Sequence, residues 1–134
     1  WVGTGSDHTD REVETYGVTV SKQMCDKPLA REFWAFDDVA PHWGSLILRA
    51  YVTEGDARVP YQEGTVAAML DPGNLLARYA KDGRLAENTL MFCGTLAAKG
   101  GVRPTGHFAF ELEDPVKRRK IAHAYSVRSL PILG

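Results

Sequence analysis

Two stretches near the C-terminal end of the chain limit its fold more than any other feature. In 106–112 and again in 121–127, apolar and polar residues alternate with a period of two. This period is typical of a strand with one buried face. Turn-forming residues, Glu113-Asp114-Pro115, follow the first stretch. The pattern therefore predicts a β-hairpin.

Other segments predict further strands. Residues 45–52 alternate in the same way and end in the turn composition of 54–56. A short apolar run at 89–93 is predicted to be another strand, and 18–20 and the segment before Gly3 are weaker candidates.

Helix signals are few. In 71–82, Asp71 is a candidate cap, Pro72 takes the first helical position and Gly83 follows the end. A short helix at 37–43 is a second candidate. Many short strands with one or two short helices predict a mainly β fold of the α+β class, a roll or barrel-like domain, in place of a parallel βαβ sheet.

Composition excludes several classes of protein. A chain of 134 residues predicts one domain, 1–134, and its 44% apolar and 25% charged residues exclude disorder and a membrane span. A net charge of −1 excludes a broad nucleic-acid-binding surface. Cys25 and Cys93 form no CxxC pair, which favours a reducing, cytoplasmic location. Because the chain starts at Trp1, we expect a longer natural protein.

The densest polar segment is 5–14, which crowds acidic, basic and imidazole groups. Two interpretations stay open: a solvated surface loop, or a segment that delivers carboxylates to a cleft. In the second, Asp7 or Asp10 would hold magnesium or manganese, which prefer carboxylate oxygens. Of the four histidines only His8 lies in this segment, and the others are expected to be structural. Cys93 ends an apolar run and is expected to be a buried, inert thiol.

Several motifs in order resemble the fumarylacetoacetate hydrolase-like superfamily. Segment 5–14 is similar to its signature Gly-Asn-Asp-x-Thr-Ala-Arg-Asp-x-Gln, and keeps the Gly, Asp, Thr and Arg. The chain resembles most the C-terminal part of an uncharacterised bacterial family that we attach to this superfamily. The further matching segments are Ser21-Lys22, a Gln-containing turn at 61–65, a helix at 75–79 and a strand at 91–95 that ends in Gly-Thr.

The resemblance implies a mixed β roll, of which this chain would be the C-terminal part, and a set of site residues. Asp7 would bind the magnesium or manganese ion. The implied catalytic residues are Lys22, Arg11 and Glu14, and the implied substrate-binding residues are Gly94, Thr95 and Gln62. The other metal carboxylates of the superfamily precede the signature, so the metal site here would be incomplete.

This sequence departs from the superfamily signature at several positions, including positions 6 and 14. Glu14 stands where the superfamily has Gln, and Ser6 replaces Asn. The residues themselves also allow simpler roles. Lys22 would pair with Asp26 at the surface, Arg11 with Glu12 or Glu14, and Thr95 would belong to an ordinary turn.

The resemblance implies a metal-dependent enzyme, a hydrolase or lyase acting on a small 2-oxo acid or 1,3-dicarbonyl compound. The metal would stabilise an enolate during carbon–carbon hydrolysis, decarboxylation or sugar-acid dehydration. A homodimer is expected, with which apolar residues at 33–36 are compatible. The alternative is a non-catalytic β module that binds a small ligand or a protein partner.

Overall fold

The computed structural model describes residues 1–80, 82–129 and 131. Within them lies one sheet of four antiparallel strands, in the order β2-β1-β3-β4. The strands are β1 Ile47–Glu54, β2 Ala57–Thr65, β3 His107–Asp114 and β4 Arg119–Ser126. The coarse prediction of an α+β fold is confirmed, whereas the mixed β roll is not confirmed.

The sheet has an inner face, which packs against the rest of the chain, and an outer face. Strand register places Ala50 opposite Phe110, and Leu112 opposite Ile121, on the inner face. These four side chains are at most 3% exposed. The predicted alternation of apolar and polar residues therefore places the apolar side chains on the buried inner face of the sheet.

Short helical segments and the chain before β1 cover the inner face. Trp34, Val39 and Leu46 join the inner-face residues in one core cluster. Val39 lies in helix α2, Phe36–Val39, which continues into the 3₁₀ turn Ala40–Ser45. The predicted short helix at 37–43 is therefore confirmed.

The N-terminal segment runs antiparallel to residues 29–34. Isolated bridges join Val2 to Trp34 and Gly5 to Leu29. The approach is close at Gly5, where a Cβ atom would lie 2.5 Å from Leu29 Cδ2 and 3.0 Å from the Pro28 carbonyl oxygen. Glycine is therefore required at this point for the two segments to meet.

The remaining helices are short. Helix α3, Pro72–Tyr79, is confirmed although shorter than predicted, and Asp71 caps it by accepting a hydrogen bond from Asn74 N–H at 3.0 Å. Single 3₁₀ turns lie at Val13–Thr15 and Val66–Ala68. None of the described helices is long and apolar enough to cross a lipid bilayer.

Three local predictions are wrong. Residues 18–20 begin helix α1, Val18–Gln23, because β-branched side chains suggest a strand but local i,i+4 hydrogen bonds such as Ser21 N–H to Gly17 oxygen form instead. Residues 89–93 are described and form no strand, since an apolar run needs a neighbouring strand to complete its hydrogen bonds. The expected turn at 61–65 is the end of β2, an edge strand that tolerates Pro60 and Gly64.

Candidate functional site

Asp7 lies between two lysine side chains and is the centre of the candidate site. Its Oδ2 atom is 2.7 Å from Lys22 Nζ, and its Oδ1 atom is 3.2 Å from Lys27 Nζ. Partial burial opposes ionisation of Asp7, but the hydrogen bonds from Lys22 and Lys27 outweigh it and hold the pKa of this carboxyl below 3.8. The side chains of Asp7 and Lys22 are 31% and 40% exposed, so solvent reaches the cluster.

A compact loop brings Lys22 back to Asp7. Asp10 Oδ1 accepts hydrogen bonds from the backbone N–H groups of Glu12 and Val13, which starts the 3₁₀ turn. The Asp10 N–H group then donates to the carbonyl oxygen of buried Ser21 at 3.1 Å. Because Ser21 precedes Lys22, this bond fixes where the lysine leaves helix α1.

The two lysines differ in how many of their N–H groups are used. Lys27 Nζ donates to the carbonyl oxygens of His8 and Lys22 and is paired with Asp7. Lys22 Nζ donates to Asp7 and, at 3.2 Å, to Thr9 Oγ1. An ammonium group has three donors, so within the described residues every donor of Lys27 has a partner, whereas one donor of Lys22 has none and can serve a ligand.

His8 forms a hydrogen-bonded pair with Tyr125 of strand β4. The Tyr125 hydroxyl oxygen lies 2.6 Å from His8 Nε2. Burial, and next the charge of Lys27, lower the pKa of His8 below 6.5, so the imidazole is neutral at physiological pH. Burial raises the pKa of Tyr125 to about 12, against a hydrogen bond with Ser6. The pair is therefore a neutral base beside a protonated phenol.

Aromatic side chains surround this pair on the inner face of the sheet. The ring of His8 packs edge-on against those of Phe108 and Tyr125, at centroid distances of 5.9 and 5.4 Å. Tyr61 packs edge-on against Phe108 from strand β2. Three distant parts of the chain thus build an apolar wall next to the charged cluster.

The predicted substrate-binding residues meet one another. Gln62 Nε2 donates to Thr95 Oγ1 at 2.9 Å and also to the Leu96 carbonyl oxygen. Gly94 has a φ of +136°, which favours glycine, and a Cβ atom there would lie 3.4 Å from the Met69 side chain. These residues lie beside β2, and in the described structure the side-chain hydrogen bond of Thr95 is with Gln62, with neither Asp7 nor Lys22.

Arg11 and Glu14 pair with each other at the surface. Arg11 Nη1 lies 2.6 Å from Glu14 Oε2, and the Arg11 side chain is 56% exposed. This is the surface ion pair that the sequence left as an alternative for Arg11. The expected pair of Lys22 with Asp26 is replaced by the pair with Asp7.

The comparisons with known proteins add one finding. A family model described as a protein of unknown function, DUF2848, matches residues 1–125. The chain belongs to the DUF2848 family. The assignment to the fumarylacetoacetate hydrolase-like superfamily is wrong, because the match over most of the chain is to DUF2848 and nothing found supports that superfamily. No curated protein and no solved structure matches the chain.

The Asp7 cluster of this DUF2848 chain does not fit a divalent cation as it stands. Both oxygens of the Asp7 carboxylate face ammonium groups, which repel a metal ion. In the described part of the chain, no group of three or more His, Cys, Asp or Glu side chains is placed to hold one. Magnesium or manganese binding stays a prediction of the sequence.

Two residues of the site, Tyr125 and Lys27, carry little signal in the sequence. Tyr125 lies in an alternating strand, and nothing in the sequence pairs it with His8. Lys27 lies in an unremarkable charged stretch after helix α1. A partner more than 100 residues away carries no local signal, so only the strand positions reveal the His8–Tyr125 pair.

Proposed function

We propose that this DUF2848 chain carries part of an enzyme acting on a small 2-oxo acid or 1,3-dicarbonyl compound. The proposal rests on the Lys22 ammonium group, which Asp7 and Thr9 hold in place and which keeps one N–H donor without a partner among the described residues. One residue from Asp7, a neutral imidazole is hydrogen-bonded to a protonated phenol. The site thus combines a positive charge with a proton donor and acceptor.

The chemistry explains why these groups suit such a substrate. When a bond next to a carbonyl group breaks, the electron pair moves to the carbonyl oxygen and forms an enolate. The Lys22 ammonium group stabilises this negative oxygen, and it does so best where water is partly excluded. Carbon–carbon hydrolysis, decarboxylation and dehydration all pass through this kind of charge.

The His8–Tyr125 pair supplies the proton transfer. Burial lowers the pKa of His8, so its neutral imidazole acts as a base that accepts a proton from the substrate near neutral pH. The Tyr125 hydroxyl group stays protonated. General acid–base catalysis by such groups contributes on the order of 10²–10⁴ in rate. Lys27, with all its donors used, acts as a positioning residue that keeps Asp7 and the backbone of His8 in place.

Oxalate, a planar dianion that resembles a 2-oxo acid enolate, provides the binding test by calorimetry. We expect Lys22→Met to weaken oxalate binding at least tenfold and Lys22→Arg to retain part of it. Lys99→Met removes a lysine from another surface ion pair and is the matched control, with no effect expected. Equal affinity of the wild type and Lys22→Met would contradict the proposed role.

A turnover assay distinguishes an enzyme from the alternative, a non-catalytic binding module. A panel of 2-oxo acids and 1,3-dicarbonyl compounds is assayed with wild type, His8→Gln and Tyr125→Phe, and both variants are expected to lose at least tenfold in kcat. Arg11→Ala tests the role implied by the sequence, with a similar loss expected. Oxalate binding without turnover of any of these compounds would favour a non-catalytic binding module.

Metal binding and dimer formation are tested on the same protein. Magnesium and manganese are titrated into wild type and Asp7→Ala, and the sequence predicts binding that the substitution abolishes. Identical titrations of the two proteins would contradict a metal role for Asp7. Sedimentation equilibrium tests the predicted homodimer, and a monomeric mass would contradict it.

A further inference from the structure

The outer face of the sheet carries a depression that the proposed function does not use. Its volume is about 400 Å³. Register places Tyr51, Ala109 and Ala124 in one row across three strands, and His107 opposite Ser126 in the next row. The alanine methyl groups form a flat floor between the Tyr51 ring on one side and His107 and Ser126 on the other.

Arg58 stands at the edge of this depression. Its guanidinium group lies over the Tyr51 ring, with its central carbon 3.7 Å from the ring centroid. Among the described residues it forms no ion pair, whereas Arg49, Arg103 and Arg119 each pair with a carboxylate. Stacking occupies the flat side of the guanidinium group and leaves its N–H edge for a ligand.

The groups around Arg58 are held in place before any ligand binds. The Tyr51 hydroxyl donates to Glu111 Oε1 at 3.1 Å, which fixes the ring beneath Arg58. Across the depression, Ser126 Oγ lies 3.1 Å from His107 Nδ1. A preorganised site loses less conformational entropy on binding than one built from free side chains.

We propose that this depression binds a small planar carboxylate, such as an aromatic acid. The N–H edge of Arg58 matches a carboxylate in bidentate geometry. The flat alanine floor and the Tyr51 ring match a planar apolar body. Phe108 and Tyr125 also line the depression, but the Arg58, Tyr51 and alanine side chains proposed to bind the ligand lie on the outer face. The proposal therefore does not depend on the function proposed for the Lys22 cluster.

Benzoate is the probe, and methyl NMR of Ala109 and Ala124 reports on its binding. We expect saturable shifts of both methyl signals in the wild type. Arg58→Gln should bind benzoate at least tenfold more weakly, whereas Arg31→Gln, which removes another exposed arginine, should bind it as the wild type does. Unchanged methyl spectra elsewhere in the chain establish that Arg58→Gln remains folded.

Two related compounds separate charge from shape. Benzyl alcohol, which lacks the carboxylate, and cyclohexanecarboxylate, which lacks the planar ring, are each expected to bind at least tenfold more weakly than benzoate. Absence of saturable shifts with benzoate would overturn the proposal, and so would equal affinity in Arg58→Gln. Methyl shifts that depend on protein concentration without ligand would show a contact between copies and would also overturn it.

Discussion

Asp114 and Asp7 each lie between two side chains that carry N–H donors, yet burial gives them different roles. Asp114 is fully buried at the end of β3, 2.9 Å from His42 Nε2 and 3.2 Å from Arg119 Nε. Its Oδ1 atom also accepts backbone N–H bonds from Val116 and Lys117. All its acceptor positions serve the fold, whereas the exposed Asp7 cluster can exchange partners with a ligand.

Asp114→Asn tests the structural role. An amide that keeps its oxygen toward the backbone N–H groups turns its NH₂ group toward Arg119, where the carboxylate had an acceptor. We expect a loss of about 3 kcal/mol in the free energy of unfolding, measured by urea titration. Asp38→Asn, which removes an exposed carboxylate from the same Arg119, should cost much less, because solvent screens an exposed ion pair. Equal effects of the two substitutions would contradict this assignment.

The pH dependence of this contribution follows from the pKa of Asp114. Burial opposes its ionisation, but the Lys117 backbone N–H, His42 and Arg119 outweigh burial and hold the pKa below 3.8. The stabilisation is therefore fully present above pH 3.8 and is lost as the pH falls through the lower folded pKa. Wild type should lose more stability than Asp114→Asn between pH 5 and pH 2, as urea titrations at each pH would measure.

The lowered pKa of His8 predicts a second change of stability with pH, closer to neutral pH. Because its folded pKa is lowered, the folded state binds fewer protons than the unfolded state, and stability falls as the pH drops from 6.5 through the folded pKa. NMR of the imidazole C–H signals should give a midpoint below 6.5. His8→Gln should abolish this part of the pH dependence. A midpoint above 6.5 would contradict a neutral His8.

At the scale of elements, the paired N-terminal segment matters most for the site. Its bridges to residues 29–34 hold it beside the sheet, and backbone bonds from Ser6 to Pro28 and from Ala30 to Thr4 continue the pairing. The segment then places Asp7 and His8 next to helix α1 and strand β4. No regular strand is needed for this, because two bridges and a close approach at Gly5 fix its course.

Gly5→Ala tests this positioning. The new Cβ would lie 3.0 Å from the backbone oxygen of Pro28, so the segments must separate. We expect destabilisation and a shift of the His8 imidazole signals, together with weaker oxalate binding. Gly17→Ala is the matched control, since its Cβ would meet only Val20 Cγ2 at 3.9 Å. Unchanged His8 signals in Gly5→Ala would contradict the assigned course of the segment.

At the scale of the whole molecule, the two faces of the sheet carry different kinds of side chains. Its inner face carries the core and the aromatic wall beside His8. Its outer face carries an ion-pair network in which Arg49 contacts Glu63, Glu111 and Glu113 across three strands. A charged outer face and an apolar inner face explain why both strands of the hairpin alternate so regularly.

Core packing should control global stability. Ile121 is 1% exposed and faces Leu112 on the inner face. Ile121→Ala is expected to cost about 2–5 kcal/mol in unfolding free energy, and Ile121→Val about 1 kcal/mol. Ala122→Gly, at an exposed outer-face position next to it, controls for strand propensity. A loss from Ile121→Ala no larger than that control would contradict the core assignment.

Local patterns determined the elements whose residues carry their own signal. The alternation of 106–112 and 121–127 predicted β3 and β4, and Asp71 with Pro72 predicted the start of α3, because burial and capping act over a few residues. Sequence patterns gave wrong predictions where the structure of a segment depends on whether a distant strand pairs with it. The apolar run 89–93 pairs with no strand in the part of the chain that the structure describes, and β2, with its proline and glycine, is a strand because β1 pairs with it.

The sequence by itself determined the antiparallel hairpin, the capped helix and the crowding of charge at 5–14. Tertiary structure decided which charges meet. It joined Asp7 to Lys22 and Lys27, joined His8 to Tyr125, and left Arg11 with Glu14 at the surface. The physical reason is range: alternation and capping depend on neighbours along the chain, whereas an ion pair depends on where folding places two distant atoms.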